Sequence, residues 1–227
     1  MSLKRRDFIR LSAGSSVLFS LSSFASPNRK QQGSVLDKLE PMTGDIAPIT
    51  VEERKLRIEK AQRLMVENNI SALLLDSGTS LVYFTGIHWW PSERTMVAII
   101  PAKGDVKYVC PAFEADRLRE LIKIGNDVRK WEEHESPYKQ IVMALNDLGI
   151  SGGNVGIEER LRFFVLDGVR KEAPGMNFIS GDPVTVPCRM IKSATELALL
   201  QKANDITIAA IKIAAGSLKE GMSNGDV

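Results

Sequence analysis

The sequence predicts an α/β domain in which a mixed β-sheet carries helices on its faces. Three observations lead to this fold class. Short, continuous apolar runs such as SALLLD are typical of strands covered on both sides. Longer segments with apolar residues at helical spacing alternate with these runs. Capping signals mark where several of the helices begin. The chain has 227 residues, of which 44% are hydrophobic, so it can bury a sizeable core.

The folded region is expected to begin near Thr50 with a helix. TVEE is a capping box, in which Thr50 accepts a hydrogen bond from the backbone near Glu53. The apolar stripe of this helix is Leu56, Ala61, Leu64 and Met65. The helix should end near Asn68 and Asn69. SALLLD then predicts a buried strand, and VYFTG predicts a second strand.

The middle of the chain repeats this alternation. TMVAIIP and VKYVCP predict a hairpin around AKGD, FEADRLRELIKI predicts a helix, and DVRKWEE predicts a strand. SPYKQIVMALNDLG predicts a helix with Ser136 as its cap, Pro137 at its first position and Gly149 at its end. NVGIE, LRFFVLDGVRKEAP and MNFIS then predict a strand, a helix and a strand. Residues 49–187 would form this domain.

The composition of the sequence changes near Pro187, and residues 188–227 are predicted to be the start of another domain. Ser193 and Glu196 form a second capping box, which opens a long helix. Its apolar residues keep helical spacing, so this face should need a partner: Leu197, Leu200, Ala203, Ile206, Ala210 and Ile213. We expect the chain to be soluble only as an oligomer or with this helix disordered.

Residues 1–25 have the pattern of a targeting peptide. KRRDFIR precedes a moderately apolar run that is too short for a comfortable membrane span. Arg5, Arg6 and Phe8 match a twin-arginine signal, and small residues favour cleavage between Ala25 and Ser26. A general secretory signal or an uncleaved anchor remains an alternative. Residues 26–48 read as a linker. The sequence thus predicts a periplasmic or secreted protein that uses the twin-arginine export machinery.

Charge and cysteine content exclude some classes of function. The net charge is +2, and without residues 1–25 it would be about −1. A nucleic-acid partner is therefore not indicated. Two cysteines, Cys110 and Cys188, lie far apart and each is next to a proline. A disulfide would be chemically feasible after export, but two separate structural thiols are the preferred interpretation.

The familiar catalytic signatures do not occur in the sequence. There is no HExxH, no phosphate-binding loop, no GxSxG and no paired cysteines at zinc spacing. The two histidines, His88 and His134, have no partners in a ligand arrangement, and His134 lies in a charged stretch typical of a surface. The glycine-rich GISGGNVG precedes a predicted strand, whereas a phosphate loop follows one, so we interpret it as a connection.

One dense cluster remains, in residues 87–94. It contains His88, Trp89, Trp90, Glu93 and Arg94. In one interpretation the aromatic residues pack on the domain while Glu93 and Arg94 pair in solvent. In the other, the loop presents tryptophan faces and a guanidinium to a ligand, because tryptophan offers a large contact area and arginine binds carboxylates in a bidentate way. Composition alone leaves both interpretations open.

Two stretches resemble a known family. YFTGIHWWPSERTMVAIIPAKGDVKYVCPAFEADRLRE resembles the amino-terminal domain of the creatinase and Xaa-Pro peptidase (aminopeptidase P and prolidase) family. The matching features are Tyr83 to Gly86, the loop, Arg94, the hairpin and Pro111 to Glu114. RMIKSATELALLQKANDIT is similar to the junction R-x-x-K-S-x-x-E before the catalytic domain of the family. The matching residues are Arg189, Lys192, Ser193 and Glu196.

The resemblance implies a two-domain metallopeptidase that cleaves the bond before a proline in the second position of a peptide. It implies a carboxy-terminal "pita-bread" domain holding two divalent metal ions (Mn, Co or Zn) through two Asp, one His and two Glu. Those ligands would lie beyond Val227, and Asp205 and Asp226 do not occupy their positions. The chain would then contain no catalytic residue or metal site and would be inactive on its own.

The resemblance also implies roles for the amino-terminal domain. In the family this domain helps to form a homo-oligomer and covers the active site. Arg94 matches an arginine that reaches the substrate carboxylate in creatinase-like members, and Trp89, Trp90 and His88 would lie beside it. Two alternatives stay open: a creatinase-like amidinohydrolase portion, which needs no metal, and a non-catalytic binding or oligomerisation module.

Overall fold

The structure is a computed structural model that describes residues 40–223 and Gly225. The chain divides into two compact units, Thr43–Ile206 and a second that combines Met1–Met42 with Thr207–Val227. The first unit contains the whole sheet and both hydrophobic cores. In the described part of the second unit, the amide of Leu218 donates to the Ala215 carbonyl, at the end of a helix. The predicted signal and most of the predicted linker lie outside the described residues.

Six strands form one mixed sheet. They are β1 (Ile70–Leu75), β2 (Val97–Pro101), β3 (Lys107–Pro111), β4 (Asp127–Trp131), β5 (Gly153–Ile157) and β6 (Met176–Ser180). Their order is β4-β3-β2-β1-β5-β6. Only β2 runs antiparallel to its neighbours, so the other five strands end on the same side, which we call the carboxyl end of the sheet. The predicted mixed α/β fold is confirmed.

In residues 40–223, one helix precedes the first strand and six others connect or follow the strands. They are α1 (Val51–Glu67), α2 (Thr79–Thr85), α3 (Ala115–Leu121), α4 (Pro137–Asp147), α5 (Phe163–Glu172), α6 (Asp182–Met190) and α7 (Ala194–Ser217). A single turn of 3-10 helix, Ala112–Glu114, precedes α3. No helix within residues 40–223 is long and apolar enough to cross a bilayer.

The alternation of side chains along β1 explains its apolar run. Leu73 and Leu75 pack on one face of the sheet, against α1, α2, α3 and α6. We call this hydrophobic cluster the first core. Ala72 and Leu74 pack on the other face, against α4 and α5. Because both faces of β1 are covered, the strand has no polar alternation to display. The first unit is therefore built in three layers, with β1 and β2 at their centre.

The helix starts predicted from capping signals are confirmed. The Thr50 hydroxyl accepts from the Glu53 amide at 3.1 Å, and the Ser136 hydroxyl accepts from the Lys139 amide at 3.2 Å. At the start of α7 the capping box is reciprocal. The Glu196 amide donates to Ser193 Oγ at 3.1 Å, while the Ser193 amide donates to Glu196 Oε2 at 2.8 Å. Local hydrogen bonding thus sets these boundaries, as the sequence indicates.

The strand predicted at VYFTG is wrong, because Thr79–Thr85 is the helix α2. Its aromatic and β-branched residues favour a strand, but Leu81, Phe84 and Thr85 have helical spacing and are fully buried against the first core. Gly86 then ends the helix with a left-handed φ of 80°. Packing overrides the weak local preference of this segment.

Two further expectations need correction. The sequence predicts Leu56 in the apolar stripe of α1, but Leu56 is exposed, and the neighbouring Arg57 is buried. The helix α6 was not predicted. It crosses the expected domain boundary at 187/188 with Pro187 inside it, and Cys188 packs in the first core.

Both cysteines are free and buried, in agreement with the preferred interpretation. Burial raises the pKa of the Cys110 thiol to about 12 and also raises that of Cys188. Because the thiolate is the reactive form, we expect neither thiol to react with a disulfide reagent at pH 8 in the native protein, and both to react after unfolding. A spectrophotometric thiol count that finds one equivalent in the folded chain would contradict this prediction.

Candidate functional site at the carboxyl end of the sheet

The loop of residues 87–94 lies at the carboxyl end of the sheet, between α2 and β2. Its first residue is fixed, because Ile87 is fully buried and its amide donates to Thr85 Oγ1 at 3.1 Å. Its last residue is followed by Thr95, whose carbonyl accepts from Trp131 Nε1 at 3.0 Å. Both ends of the 87–94 loop are thus held in place by buried contacts.

The two tryptophans of the 87–94 loop have different environments. Trp89 is 8% exposed and packs in the first core, with the Arg117 guanidinium 4.8 Å from its ring centre. Trp90 is 82% exposed, and His88 is exposed as well. Each of the two interpretations of the loop therefore applies to one of the two neighbouring tryptophans. Trp89 anchors the loop, whereas Trp90 and His88 are presented to solvent.

Arg94 is engaged by acidic side chains. Its Nε donates to Glu133 Oε1 at 2.7 Å, it forms a second ion pair with Glu93, and its guanidinium lies 5.3 Å from the ring centre of Phe113. The hydrogen bond with Glu133 is the main cause that raises the pKa of Arg94. The Glu93 pair matches the first interpretation of the loop, while Glu133 comes from the segment after β4, which the sequence pattern did not connect with this site.

A buried ion pair beneath the loop was not foreseen. Asp76, directly after β1, is 2% exposed, and Arg162 Nε donates to its Oδ2 at 2.7 Å. Arg162 Nη2 lies 3.3 Å from Asp76 Oδ1, and Nη1 donates to the Ser92 carbonyl. Arg162 therefore joins the end of β1 to the middle of the 87–94 loop. A charged residue that ends a fully apolar strand was the available signal in the sequence.

A second polar network joins α2, α6 and the residue that follows β5. The hydroxyl of Ser80 donates to Glu158 Oε1 at 2.9 Å and accepts from Arg189 Nη1 at 3.2 Å. The other carboxylate oxygen of Glu158 accepts from the Arg160 amide at 2.9 Å. Glu158 is almost fully buried, so these donors are what allow its carboxylate to remain in the core.

The junction motif R-x-x-K-S-x-x-E has a structural explanation. Arg189 joins the Ser80 network, and Lys192 donates to the Arg189 and Met190 carbonyls at the end of α6. Ser193 donates to Glu53 Oε1 at 2.8 Å, and Glu196 pairs with Arg57 at 3.2 Å. Arg189, Ser193 and Glu196 therefore hold α6 and the start of α7 against the sheet domain, whereas Lys192 caps the end of α6.

The described residues offer no metal centre. Within residues 40–223 and 225, no group of three or more His, Cys, Asp or Glu side chains lies close enough to hold a metal ion. His134 is exposed, and Asp205 accepts a hydrogen bond from Gln201 at 2.8 Å. Asp226 and the predicted signal residues Arg5, Arg6, Phe8, Ala25 and Ser26 lie outside the described residues.

Comparison with known proteins gives a family match over more than half of the chain. The family model for the creatinase/prolidase N-terminal domain matches residues 57–191. An uncharacterized peptidase of Schizosaccharomyces pombe is 27% identical over 201 residues, which is 82% of this chain and 43% of that protein. The Xaa-Pro dipeptidase of Pyrococcus horikoshii is 26% identical over 171 residues, or 75% of this chain and 45% of that protein.

Solved structures agree with the sequence comparison. The crystal structure of a dipeptidase from Pyrococcus horikoshii aligns with a TM-score of 0.65 at 26% identity. The alignment covers 75% of this chain and 46% of that chain. The chain thus spans less than half the length of the curated relatives it matches.

Proposed function

Because the chain belongs to the creatinase/prolidase N-terminal domain family, we propose that it is the amino-terminal part of a metal-dependent Xaa-Pro aminopeptidase or dipeptidase. The observation that carries this proposal is the match over residues 57–191, which includes the 87–94 loop, the buried Asp76 and Arg162 pair and all of α6. The Pyrococcus horikoshii relative is an Xaa-Pro dipeptidase, and its name supplies the substrate class, a peptide with proline.

In this function the carboxyl end of the sheet faces a catalytic portion that the described residues do not include. Large aromatic side chains are exposed there at the ends of three connections: Trp90, Phe113, Phe163 and Phe164. Exposed aromatic residues on a rigid support are typical of surfaces that contact a partner. The 87–94 loop would border the active site, with Arg94, Trp90 and His88 nearest to the substrate and Trp89 as their anchor.

The reacting groups and the two divalent metal ions (Mn, Co or Zn) belong to that catalytic portion. Within the described residues, no three His, Cys, Asp or Glu side chains lie close enough together to hold a metal ion. The role of this domain is therefore to orient substrate and to exclude water, which rigid loops near a reacting centre do in many enzymes. We further propose export to the periplasm through the twin-arginine machinery.

A homo-oligomer is part of the same proposal. The helix α7 has no buried residue, and Leu197 near its start is more than half exposed. An apolar helix face of this kind gains most of its stability from a partner surface. A second subunit, or the catalytic portion of the same enzyme, would supply that surface.

Replacing Arg94 with alanine should weaken substrate binding more than folding. Nε and Nη1 of Arg94 are engaged by Glu133 and Glu93, but Nη2 makes no bond with any described residue and can donate to a substrate carboxylate. In a polypeptide that carries both this chain and the catalytic portion, we expect KM for an Xaa-Pro dipeptide to rise about tenfold, with a much smaller change in kcat.

The matched control is Arg119→Ala, which removes another partly exposed arginine with a single acidic partner, Asp116. Steady-state kinetics should not change in that variant, and thermal unfolding should move little in either one, because exposed ion pairs contribute little to stability. Kinetics of Arg94→Ala that equal those of the unsubstituted enzyme would return the loop to a purely structural role.

A further inference from the structure

A cleft opens at the point where the chain changes direction in the sheet. From β1 the chain continues to β2 on one side, and from β5 it continues to β6 on the other side. The segments that follow β1 and β5 therefore diverge at the carboxyl end of the sheet. In open α/β sheets, such a switch point leaves a crevice in which ligands bind. We call this crevice the switch-point cleft.

The switch-point cleft has a volume of about 370 Å³. Its lining residues come from the turn after β1, from α2, from the 87–94 loop and from the turn after β5. They are Ser77, Gly78, Val82, His88, Trp89, Trp90, Pro91 and Arg160. This volume is at the small end of the range for ligand pockets, so the cleft suits a small molecule or the end of a short peptide.

Arg160 is the charged residue of the cleft. Its side chain crosses the turn after β1, where a Cβ added to Gly78 would lie 3.6 Å from Arg160 Cδ. Its guanidinium makes no ion pair or hydrogen bond with any of the described residues, whereas Arg162 is paired with Asp76 and Arg94 with Glu133. No acidic residue lines the cleft. Because Arg160 is exposed and unpaired, its guanidinium is free to bind an anionic group that enters the cleft.

Apart from the polar side chains of Ser77 and His88, the remaining walls of the cleft are apolar or aromatic. Val82 contributes an aliphatic surface, Pro91 a ring, and Trp90 an indole that is largely exposed. An occupant that satisfies the whole cleft must therefore combine one anionic end with an apolar body. A free carboxylate matches the planar fork of a guanidinium with two parallel hydrogen bonds, and an adjoining side chain or pyrrolidine ring matches the indole face.

We infer that the switch-point cleft binds the free carboxyl end of a short peptide, with Arg160 as the carboxylate ligand and Trp90 as the apolar wall. The choice of a peptide rests on the proposed peptidase function. The site itself is built by this chain alone and requires no catalytic group. It would hold a peptide end near the 87–94 loop, separate from the contact assigned to Arg94.

The full chain is titrated with Ala-Leu and Ala-Pro, and binding is measured by calorimetry and by the total tryptophan emission, to which Trp89, Trp90 and Trp131 contribute. Each peptide is compared with its carboxamide, which has the same body without the charge. We expect the carboxamides to bind at least about tenfold more weakly than the acids, because a charge-assisted bidentate pair is lost. Arg160→Met should cause a similar loss for the acids and little change for the carboxamides.

Arg63→Met is the matched control, since Arg63 is exposed on α1 and lies outside the cleft. It should leave binding unchanged. Equal affinity for acids and carboxamides, or full binding by Arg160→Met, would overturn the inference. Acetate that competes as well as the dipeptides would also overturn it, because the apolar wall would then contribute nothing. These measurements need no turnover, so their failure leaves the peptidase proposal to be judged by the Arg94 kinetics.

Discussion

Replacing Asp76 with alanine is expected to lower the free energy of unfolding by about 3 kcal/mol and to loosen the 87–94 loop. For a folded region of this size, that loss corresponds to a decrease in Tm of roughly 6–12 °C. The effect should be visible in a thermal or urea unfolding curve followed by circular dichroism.

The size of this effect follows from burial. Asp76 is 2% exposed, whereas the Arg162 side chain is about one quarter exposed. Breaking a fully buried ion pair costs about 3–5 kcal/mol, mainly because the remaining charge is left without a partner in a dry environment. Since Arg162 retains some contact with water, the lower end of that range applies. The amide of Ser77 also loses its acceptor, Asp76 Oδ1.

The second consequence concerns the position of the loop. Arg162 can donate to the Ser92 carbonyl only while its guanidinium is oriented by Asp76. Without that carboxylate, hydrogen exchange of the amides in residues 87–94 should become faster than in the unsubstituted protein, beyond any change in β1. Asp76 is therefore a positioning residue for a loop that it precedes in the chain by more than ten positions.

Asp167→Ala provides the control for Asp76→Ala. It removes the partner of Lys171 on the exposed face of α5, an i,i+4 pair. Such an exposed pair is screened by solvent and contributes little to stability, so Tm should change little. If both substitutions had the same small effect, the buried pair would not support the loop. A loss of stability without faster exchange in the loop would limit Asp76 to a role in the core.

The contrast between Asp76 and the helix caps shows what the sequence could predict. Thr50, Ser136 and Ser193 each accept from the backbone amide three positions away, so the spacing of residue types was sufficient to predict them. Asp76 and Arg162 are separated by 86 positions. Their pairing depends on the adjacency of β1 and β5, which no local pattern contains.

The same distinction applies to the candidate site. The composition of the 87–94 loop identified the segment, but it could not separate Trp89 from Trp90, because neighbouring residues have the same local sequence. Their difference arises from packing, with Trp89 turned toward the first core and Arg117 above its ring. Arg160, which lines the cleft beside them, follows β5, and only the parallel pairing of β5 with β1 brings it near the loop.

The strand prediction for the segment that forms α2 was wrong for a related physical reason. Local propensity measures a preference of well under 1 kcal/mol per residue, while burial of a side chain such as Phe84 contributes about 2 kcal/mol. Arg57 was overlooked on the same grounds, because an arginine inside an amphipathic helix is normally expected on its exposed face. In both cases the tertiary partners, which lie far away in the chain, decide the outcome.

Replacing Arg57 with methionine is the second substitution for which we expect a large loss, again about 3 kcal/mol. Arg57 is 8% exposed and donates to Glu53 Oε1 at 2.7 Å and to the Tyr83 carbonyl at 2.9 Å. It also pairs with Glu196 at 3.2 Å and lies 4.2 Å from the centre of the Tyr83 ring. Methionine preserves much of the volume but leaves two carboxylates without their common cation.

The pH dependence of stability distinguishes this network from simple packing. Burial by itself would raise the pKa of Glu53, but hydrogen bonds from Ser193, Arg57 and Thr195, together with the Arg57 charge, hold it below the ordinary value of 4.5. Because the folded-state pKa is lowered, this contribution to stability is fully present above pH 4.5 and is lost as the pH falls below it. The difference in stability between Arg57→Met and the unsubstituted protein should therefore be large at pH 6 and smaller at pH 3.5, so that their unfolding curves converge at the lower pH.

Arg63→Met tests whether the loss belongs to the network, since Arg63 lies on the exposed face of the same helix, and it should change Tm by only a degree or two. A difference between Arg57→Met and the unsubstituted protein that is as large at pH 3.5 as at pH 6 would assign the loss to packing alone. Convergence, by contrast, would mean that Arg57 connects α1 to the start of α7 through charge. Because Glu53 lies on α1 and Ser193 at the start of α7, that charge would hold the first turn of α7 against α1.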